Sequence, residues 1–274
     1  MKPLATAYVV VVVGVAMAPC ASRLAEEPAA TETPTPCELC GFWKTVGADT
    51  REVFTEPVRW EAGDWRSVAW KSALVAGSIA LLDEPTRDYL QRHRNDGSQR
   101  IADVFEPFGA EYALGTLAGF ALVGFAGDHP TARAVALDGT VSSLITGGMI
   151  VPLLKALTGR SRPHELQGAH DFNGIGGGES FPSGHTAEAF TVAASIAENY
   201  HRPWISALSY SVAGLVGYAR MEHDDHWLSD VTAGAFIGVG VAKQVSKLNR
   251  SRRGIAFMPL EEQGVRGIRV SVSF

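Results

Sequence analysis

The chain has 274 residues, of which 19% are charged and 46% apolar, with a net charge of −5. Ordinary soluble domains carry roughly 25% charged residues, so polar surface is scarce here and a helical bundle with little exposed area fits. The acidic balance supplies no basic stripe, which excludes nucleic acid as a partner and requires any anion site to be local.

Residues 1–21 read as a secretory signal: Lys2 is a minimal basic start, and Leu4 to Ala18 is an apolar stretch with five successive valines, Val9 to Val13. Export to the periplasm or cell envelope follows as an expectation. Cleavage and lipid attachment at Cys20, which follows Met-Ala-Pro, both stay open. Residues 22–41 are rich in Ala, Glu, Thr and Pro and read as a disordered polar linker. Cys37 and Cys40 within it read as a structural disulfide, because an exported chain meets an oxidising compartment.

The aromatic cluster Phe42, Trp43, Phe54, Trp60 and Trp65 reads as a lid packed against a core, with a membrane-interface belt as the alternative. From Trp65 onward, apolar runs longer than strands alternate with Gly, Pro and charged residues. They predict helices over Trp65 to Leu82, Pro85 to Arg94, Glu111 to Ala126, Ala132 to Thr158, Thr186 to Tyr200, Trp204 to Tyr218 and Trp227 to Leu248, in a helical domain over 42–250. Pro85, after Asp83 and Glu84, is a first-turn proline. Membrane spans need about 18 to 25 apolar residues. The runs fall just short, with Gly147, Gly148 and Pro152 interrupting one of them, so membrane contact is expected without a clear span. The tail 251–274 alternates Ile268, Val270, Val272 and Phe274 and predicts a short hairpin of Ile255 to Leu260 with Gly267 to Phe274.

Three segments carry chemistry. Lys155-Ala-Leu-Thr-Gly-Arg-Ser-Arg162-Pro163 ends a helix, and the turn at Gly159 brings Arg160 and Arg162 towards Lys155 as a set of phosphate-suited cations. Phe181-Pro-Ser183-Gly184-His185 opens a helix, where free N–H groups attract an anion and His185 stands ready to donate a proton. In Arg220-Met-Glu-His-Asp-Asp-His226-Trp-Leu-Ser-Asp230, His226 and Asp230 are four apart; on one helical face the carboxylate would fix the imidazole tautomer and free the other nitrogen as a nucleophile.

In this order the segments resemble the signature of the type 2 phosphatidic acid phosphatase (PAP2) and vanadium haloperoxidase superfamily: Lys-x6-Arg-Pro, Pro-Ser-Gly-His, then Arg-x5-His-x3-Asp. Ala219 stands where the family often has Ser, and the glycine-rich stretch Gly168 to Gly178 lengthens the first gap. The resemblance implies an all-α helical bundle in which Lys155, Arg162 and Arg220 hold phosphate, with Ser183 and Gly184 adding hydrogen bonds. It implies that His226 attacks phosphorus, Asp230 orients it and His185 protonates the leaving oxygen, through a phosphohistidine. No metal or other cofactor is implied, and vanadate is expected to bind as a phosphate mimic. The expected substrate is a phosphorylated lipid or a small phosphomonoester.

Other clusters are declined. His223, Asp224, Asp225 and His226 are adjacent and point apart, which argues against a metal site. Gly174, Gly176, Gly177 and Gly178 lack a following Gly-Lys-Ser/Thr and read as a flexible flap near the site. Glu222, Asp224 and Asp225 read as solvated, with a bias on substrate choice by repelling extra negative charge as a further expectation, and among the remaining histidines only His164 is placed to line the pocket. Two rival functions are a vanadium-dependent haloperoxidase, against which the chain's size speaks, and a non-catalytic envelope protein that binds anionic lipid, against which the intact His226, His185 and Asp230 speak.

Overall fold

The computed structural model describes residues 38–253, 255–262 and 265–272. The expected signal, most of the linker and the Cys37–Cys40 pairing lie outside the described residues.

Among the described residues ten α-helices follow in order: α1 Glu38–Thr55, α2 Ala62–Leu81, α3 Asp83–His93, α4 Asp96–Phe105, α5 Glu111–Ala126, α6 Pro130–Ile145, α7 Val151–Thr158, α8 Gly184–Tyr200, α9 Pro203–Glu222 and α10 Leu228–Arg253. Two strands, β1 Ile255–Glu262 and β2 Val265–Val272, pair antiparallel with Ile255 opposite Val272. The bundle is all-α, as the apolar periodicity predicts, and the hairpin is an appendage.

Local chemistry explains what the periodicity missed. Helix α4 is only ten residues long; Ile101, Val104 and Phe105 recur at helical spacing, and its start is strongly capped. Asn95 Oδ1 accepts from the amides of Gly97 (2.9 Å) and Ser98 (3.1 Å), while Ser98 Oγ accepts from the Asn95 amide (3.0 Å). The helix predicted over Ala132 to Thr158 is interrupted by a π-helical turn, Thr146–Ile150, where Gly147 and Gly148 fall. The whole run Pro130–Thr158 nevertheless has the length and hydropathy of a membrane span, with half of it buried inside the protein. Helix α1 begins at Glu38, within the last residues assigned to the linker. Of the aromatic cluster, Phe42 packs with Val46 and Val53 against Val141, Ile145, Val241 and Val245, and Trp60 stacks edge-on with Trp65 at 5.1 Å. Trp43, Phe54 and Trp65 stay exposed.

Helix α8 is the centre of the bundle. Its buried positions are almost all small: Thr186, Ala187, Ala189, Thr191, Ala193, Ala194 and Ser195. Small side chains allow close approach, and α10 uses it: a Cβ on Gly238 would lie 2.2 Å from the Ala187 carbonyl oxygen. Helices α8 and α10 are thereby locked together, which brings their N-terminal ends side by side.

Candidate active site

The site forms where the C-terminal ends of α7 and α9 meet the N-terminal ends of α8 and α10. Helix α7 ends at Gly159, whose backbone is left-handed (φ +54), an arrangement glycine adopts without strain. The following segment is stitched to the glycine-rich loop: Asn173 N and Gly178 N donate to Gly159 O, Gly174 N to Thr158 O, and Ser180 N to Arg160 O. A Cβ on Gly159 would stand 1.9 Å from the Gly174 carbonyl. Gly159, Gly177 and Gly178 serve close backbone contact, which ties the expected flap to the end of α7, while Gly174 and Gly176 take left-handed backbone in open space. The same loop walls a cavity of about 530 Å³ together with Lys155, Pro152 and Glu179.

Arg160 does not join Lys155 as a phosphate cation. It is fully buried, and its guanidinium donates to Asp83 Oδ2 (2.7 Å), Asp230 Oδ1 (2.5 Å), Ser229 Oγ (2.7 Å) and the Ala169 carbonyl (2.5 Å). Its face lies over Trp227 and Phe172. Every donor direction is committed inside the fold, so no edge is left for a ligand. Asp83 completes the lock by accepting from Ser229 N (2.8 Å) and Ser229 Oγ (2.6 Å).

This lock holds Asp230. Besides Arg160, its carboxylate accepts from Ser180 Oγ (2.5 Å) and from the Trp227 amide (2.9 Å). Burial works against its charge, but His226, Arg160 and Ser180 outweigh that and hold its acidity below the ordinary carboxylate range. His226 Nδ1 lies 3.6 Å from Asp230 Oδ2, an ion-pair contact longer than a hydrogen bond, and has no other partner. The two do not share a helical face as the spacing suggested. Helix α10 begins at Leu228, and Asp230 reaches back from its first turn towards His226 in the preceding turn. Burial foremost, with Arg220 and Lys155 adding to it against the opposing pull of Asp230, lowers the His226 value to about 4. His226 is therefore a neutral imidazole across most of the physiological range, which a nucleophile requires.

Helix α8 contributes Ser183, Gly184 and His185. The Ser183 amide is already given to the Asp230 carbonyl (3.1 Å), and its Oγ accepts from Thr186 Oγ1 (2.9 Å), leaving the hydroxyl proton as its donor. His185 is pushed below its ordinary value by burial first and by the Lys155 charge next, while Glu111 and Asp225 oppose the shift. Lys155 is itself lowered by burial and then by Arg162. Lys155 thus feels Arg162 and Asp230, His185 feels Lys155 and Arg162, and His226 feels Asp230, Arg220 and Lys155, at the helix ends where the three segments lie.

The acidic residues of the third segment are not solvated. Glu222 is 1% exposed and accepts from Ser98 Oγ (2.5 Å) and Tyr218 Oη (3.2 Å). Asp224 takes a two-pronged contact from Arg87 (2.6 and 2.7 Å). Asp225 accepts from Arg220 Nη2 (2.6 Å) and Arg162 Nη1 (3.4 Å), and His164 Nδ1 lies 3.5 Å away. Arg220 is 5% exposed, donates its other Nη to Glu106, and leaves Nε without an acceptor. His223 turns to Asp103 and Glu106, so it and its neighbours Asp224, Asp225 and His226 face four separate directions. Asp83 and Glu106 escaped sequence reading because they lie far from the motifs they serve, and Ser180, next to Phe181, because a lone serine carries no signal of its partner. Only the pairing of Arg160 with Arg162 carried a signal, and it pointed to the wrong role.

Residues 139–253 match the family model described as PAP2 superfamily. Over 66 residues the chain is 42% identical to the lipid A 1-phosphatase of Porphyromonas gingivalis, a stretch that is 23% of this chain and spans only 15% of that protein. Among solved structures, LpxE of Aquifex aeolicus aligns with a TM-score of 0.48 at 24% identity, covering 61% of this chain and 95% of that one. The first transmembrane PAP2 type phosphatidylglycerolphosphate phosphatase from Bacillus subtilis aligns with a TM-score of 0.44 at 16% identity, covering 77% and 95%. Lys155 to Asp230 all fall inside the segment that is similar to the PAP2 superfamily model.

Proposed function

We propose that the chain is a phosphatase that acts on a lipid-borne phosphomonoester through a phosphohistidine on His226, without a metal. The observation that carries this reading is the buried, neutral His226 facing a carboxylate that Arg160, Ser180 and the Trp227 amide hold in place. Lys155, Arg162 and Arg220 bind the phosphoryl oxygens, and the Ser183 hydroxyl and Gly184 amide add donors at the start of α8. The His226 Nε2 lone pair forms the N–P bond as the P–O ester bond breaks, and His185 delivers its proton to the leaving oxygen. The imidazole becomes cationic, and the adjacent Asp230 stabilises that charge. Water, deprotonated by His185, then attacks phosphorus, and the N–P bond electrons return to His226. Vanadate is expected to occupy the same cradle.

A lipid substrate is favoured by the apolar surroundings. A cavity of about 650 Å³ is lined by Trp60, Val75, Leu154, Phe181, Phe236 and Ile237; Leu154 is the chain neighbour of Lys155, and Phe181 opens the segment that carries Ser183 and Gly184. Exposed Tyr112, Leu122 and Phe125 on α5 and Trp204 and Leu208 on α9 support membrane contact. The P. gingivalis relative is a lipid A phosphatase by name. Phosphate release in EDTA, compared for p-nitrophenyl phosphate, phosphatidic acid and a prenyl pyrophosphate, tests the reading. Activity on the lipids that resists EDTA supports it, and loss of all activity in EDTA, or none on any substrate, contradicts it.

A further inference from the structure

The two guanidiniums assigned to the substrate phosphate are already joined by a carboxylate. Asp225 points one oxygen at Arg220 Nη2 (2.6 Å) and the other at Arg162 Nη1 (3.4 Å). Arg220 is nearly buried, its second Nη is taken by Glu106, and its Nε has no acceptor. Arg220 Nε is the donor still open, and a phosphate that also engages the Nη groups of Arg162 and Arg220 competes for the N–H directions that Asp225 now occupies.

We propose that Asp225 is an internal counter-anion seated where phosphate oxygens bind, and that substrate phosphate must displace it. The inference rests on the phosphatase reading and adds a specificity-determining residue to it. Charge-assisted pairs between guanidinium and carboxylate resemble those between guanidinium and phosphate in geometry, so the two acceptors compete for the same fork. The groups facing Asp225 are Arg162 and His164 from the segment after α7, Arg220 from the end of α9, and His185 from α8, which senses its charge. Glu106, on the far side of Arg220, keeps that guanidinium partly neutralised after Asp225 leaves. Any phosphate therefore binds against an intramolecular rival, and the effect is greatest for free phosphate, which has no lipid chain to add affinity. Asp225 thus favours release of the product over its retention. It touches the phosphate-binding arginines and takes no part in bond making.

The test is binding of inorganic phosphate and of vanadate to the full chain at one fixed pH, by calorimetry, for the wild type, Asp225→Asn and Asp225→Ser. Melting curves verify that each variant is folded. Both substitutions remove the charge, and Ser removes the second oxygen as well, so one variant suffices if the other does not fold. Displacement predicts that each variant binds both anions about tenfold more tightly than the wild type, a difference of roughly 1.4 kcal/mol, with stronger inhibition by product phosphate during turnover. Unchanged or weaker binding in the variants, with binding intact in the wild type, would mean that Asp225 merely orients Arg220 and overturns the inference. Failure of the wild type to bind either anion would instead remove the phosphatase reading on which it rests.

Discussion

Two ends of this bundle bury carboxylates against arginines, and they differ in which kind of atom is left unpaired. At the far end, Asp138 accepts from Asn199, Asn249 and Arg253, and Asp49 accepts from Arg252. The buried charged atom without a partner there is an acceptor, Asp49 Oδ2, and burial raises the Asp49 acidity value. At the other end the unpaired atoms are Arg220 Nε, a donor, and His226 Nδ1, which faces Asp230. A surplus of acceptors pins helix ends together and offers an anion nothing. A surplus of donors on a cationic group calls for an anion. The sign of the unpaired group, rather than the presence of a buried ion network, separates a structural cluster from a site.

The comparison predicts opposite consequences for substitutions at the two ends. The largest effect is expected for His226→Gln, which should lower phosphate release by at least about 10⁴-fold with the melting temperature near that of the wild type. Arg160→Met comes next: it strips both Asp83 and Asp230 of their buried cation, so it should cost roughly 3–5 kcal/mol of stability and cut turnover about 10²-fold or more in steady-state assays. Asp138→Asn should cost about 2 kcal/mol, since Arg253 is 40% exposed and solvent screens its charge, while turnover stays within about twofold of wild type. A large loss of turnover in that variant, in a folded protein, would break the distinction between the two ends.

Smaller effects concern pH. His226 is held near 4 against an ordinary 6.5, so in that window the unfolded chain binds a proton that the folded chain does not. The His226 contribution to stability is fully present above 6.5 and is lost as pH falls towards 4. Denaturant titrations should show this loss in the wild type and a flatter curve in His226→Gln. Turnover should fall on the acid side near pH 4 as His226 gains a proton. It should fall on the alkaline side from a point below 6.5, because His185, lowered by burial and Lys155, loses the proton it must donate. Lys155→Gln should move that alkaline limb upward.

The all-α class and the meeting of the three motifs at helix ends were legible in the sequence, while the roles of the individual side chains are proposals. The motifs that carry Lys155, Arg162, His185, Arg220, His226 and Asp230 come together because each lies at a helix end and those ends meet. The all-α class was legible from apolar runs too long for strands. Helix α4 went unread because it is only ten residues long, although Ile101, Val104 and Phe105 recur at helical spacing, and the π-turn at Thr146–Ile150 leaves no mark beyond two glycines. The roles of Arg160 and Asp225 were misread for one physical reason. A charged residue's function depends on its partner, and Asp83, Asp230 and Arg220 become partners only after folding.

The central claim is that His226 carries the phosphoryl group, and rapid quenching of turnover at alkaline pH, followed by mass spectrometry of the digested protein, tests it most directly. A phosphoryl adduct on the His226 imidazole, absent from His226→Gln, is the predicted result. An adduct on any other residue, or undiminished turnover in His226→Gln, would contradict the claim.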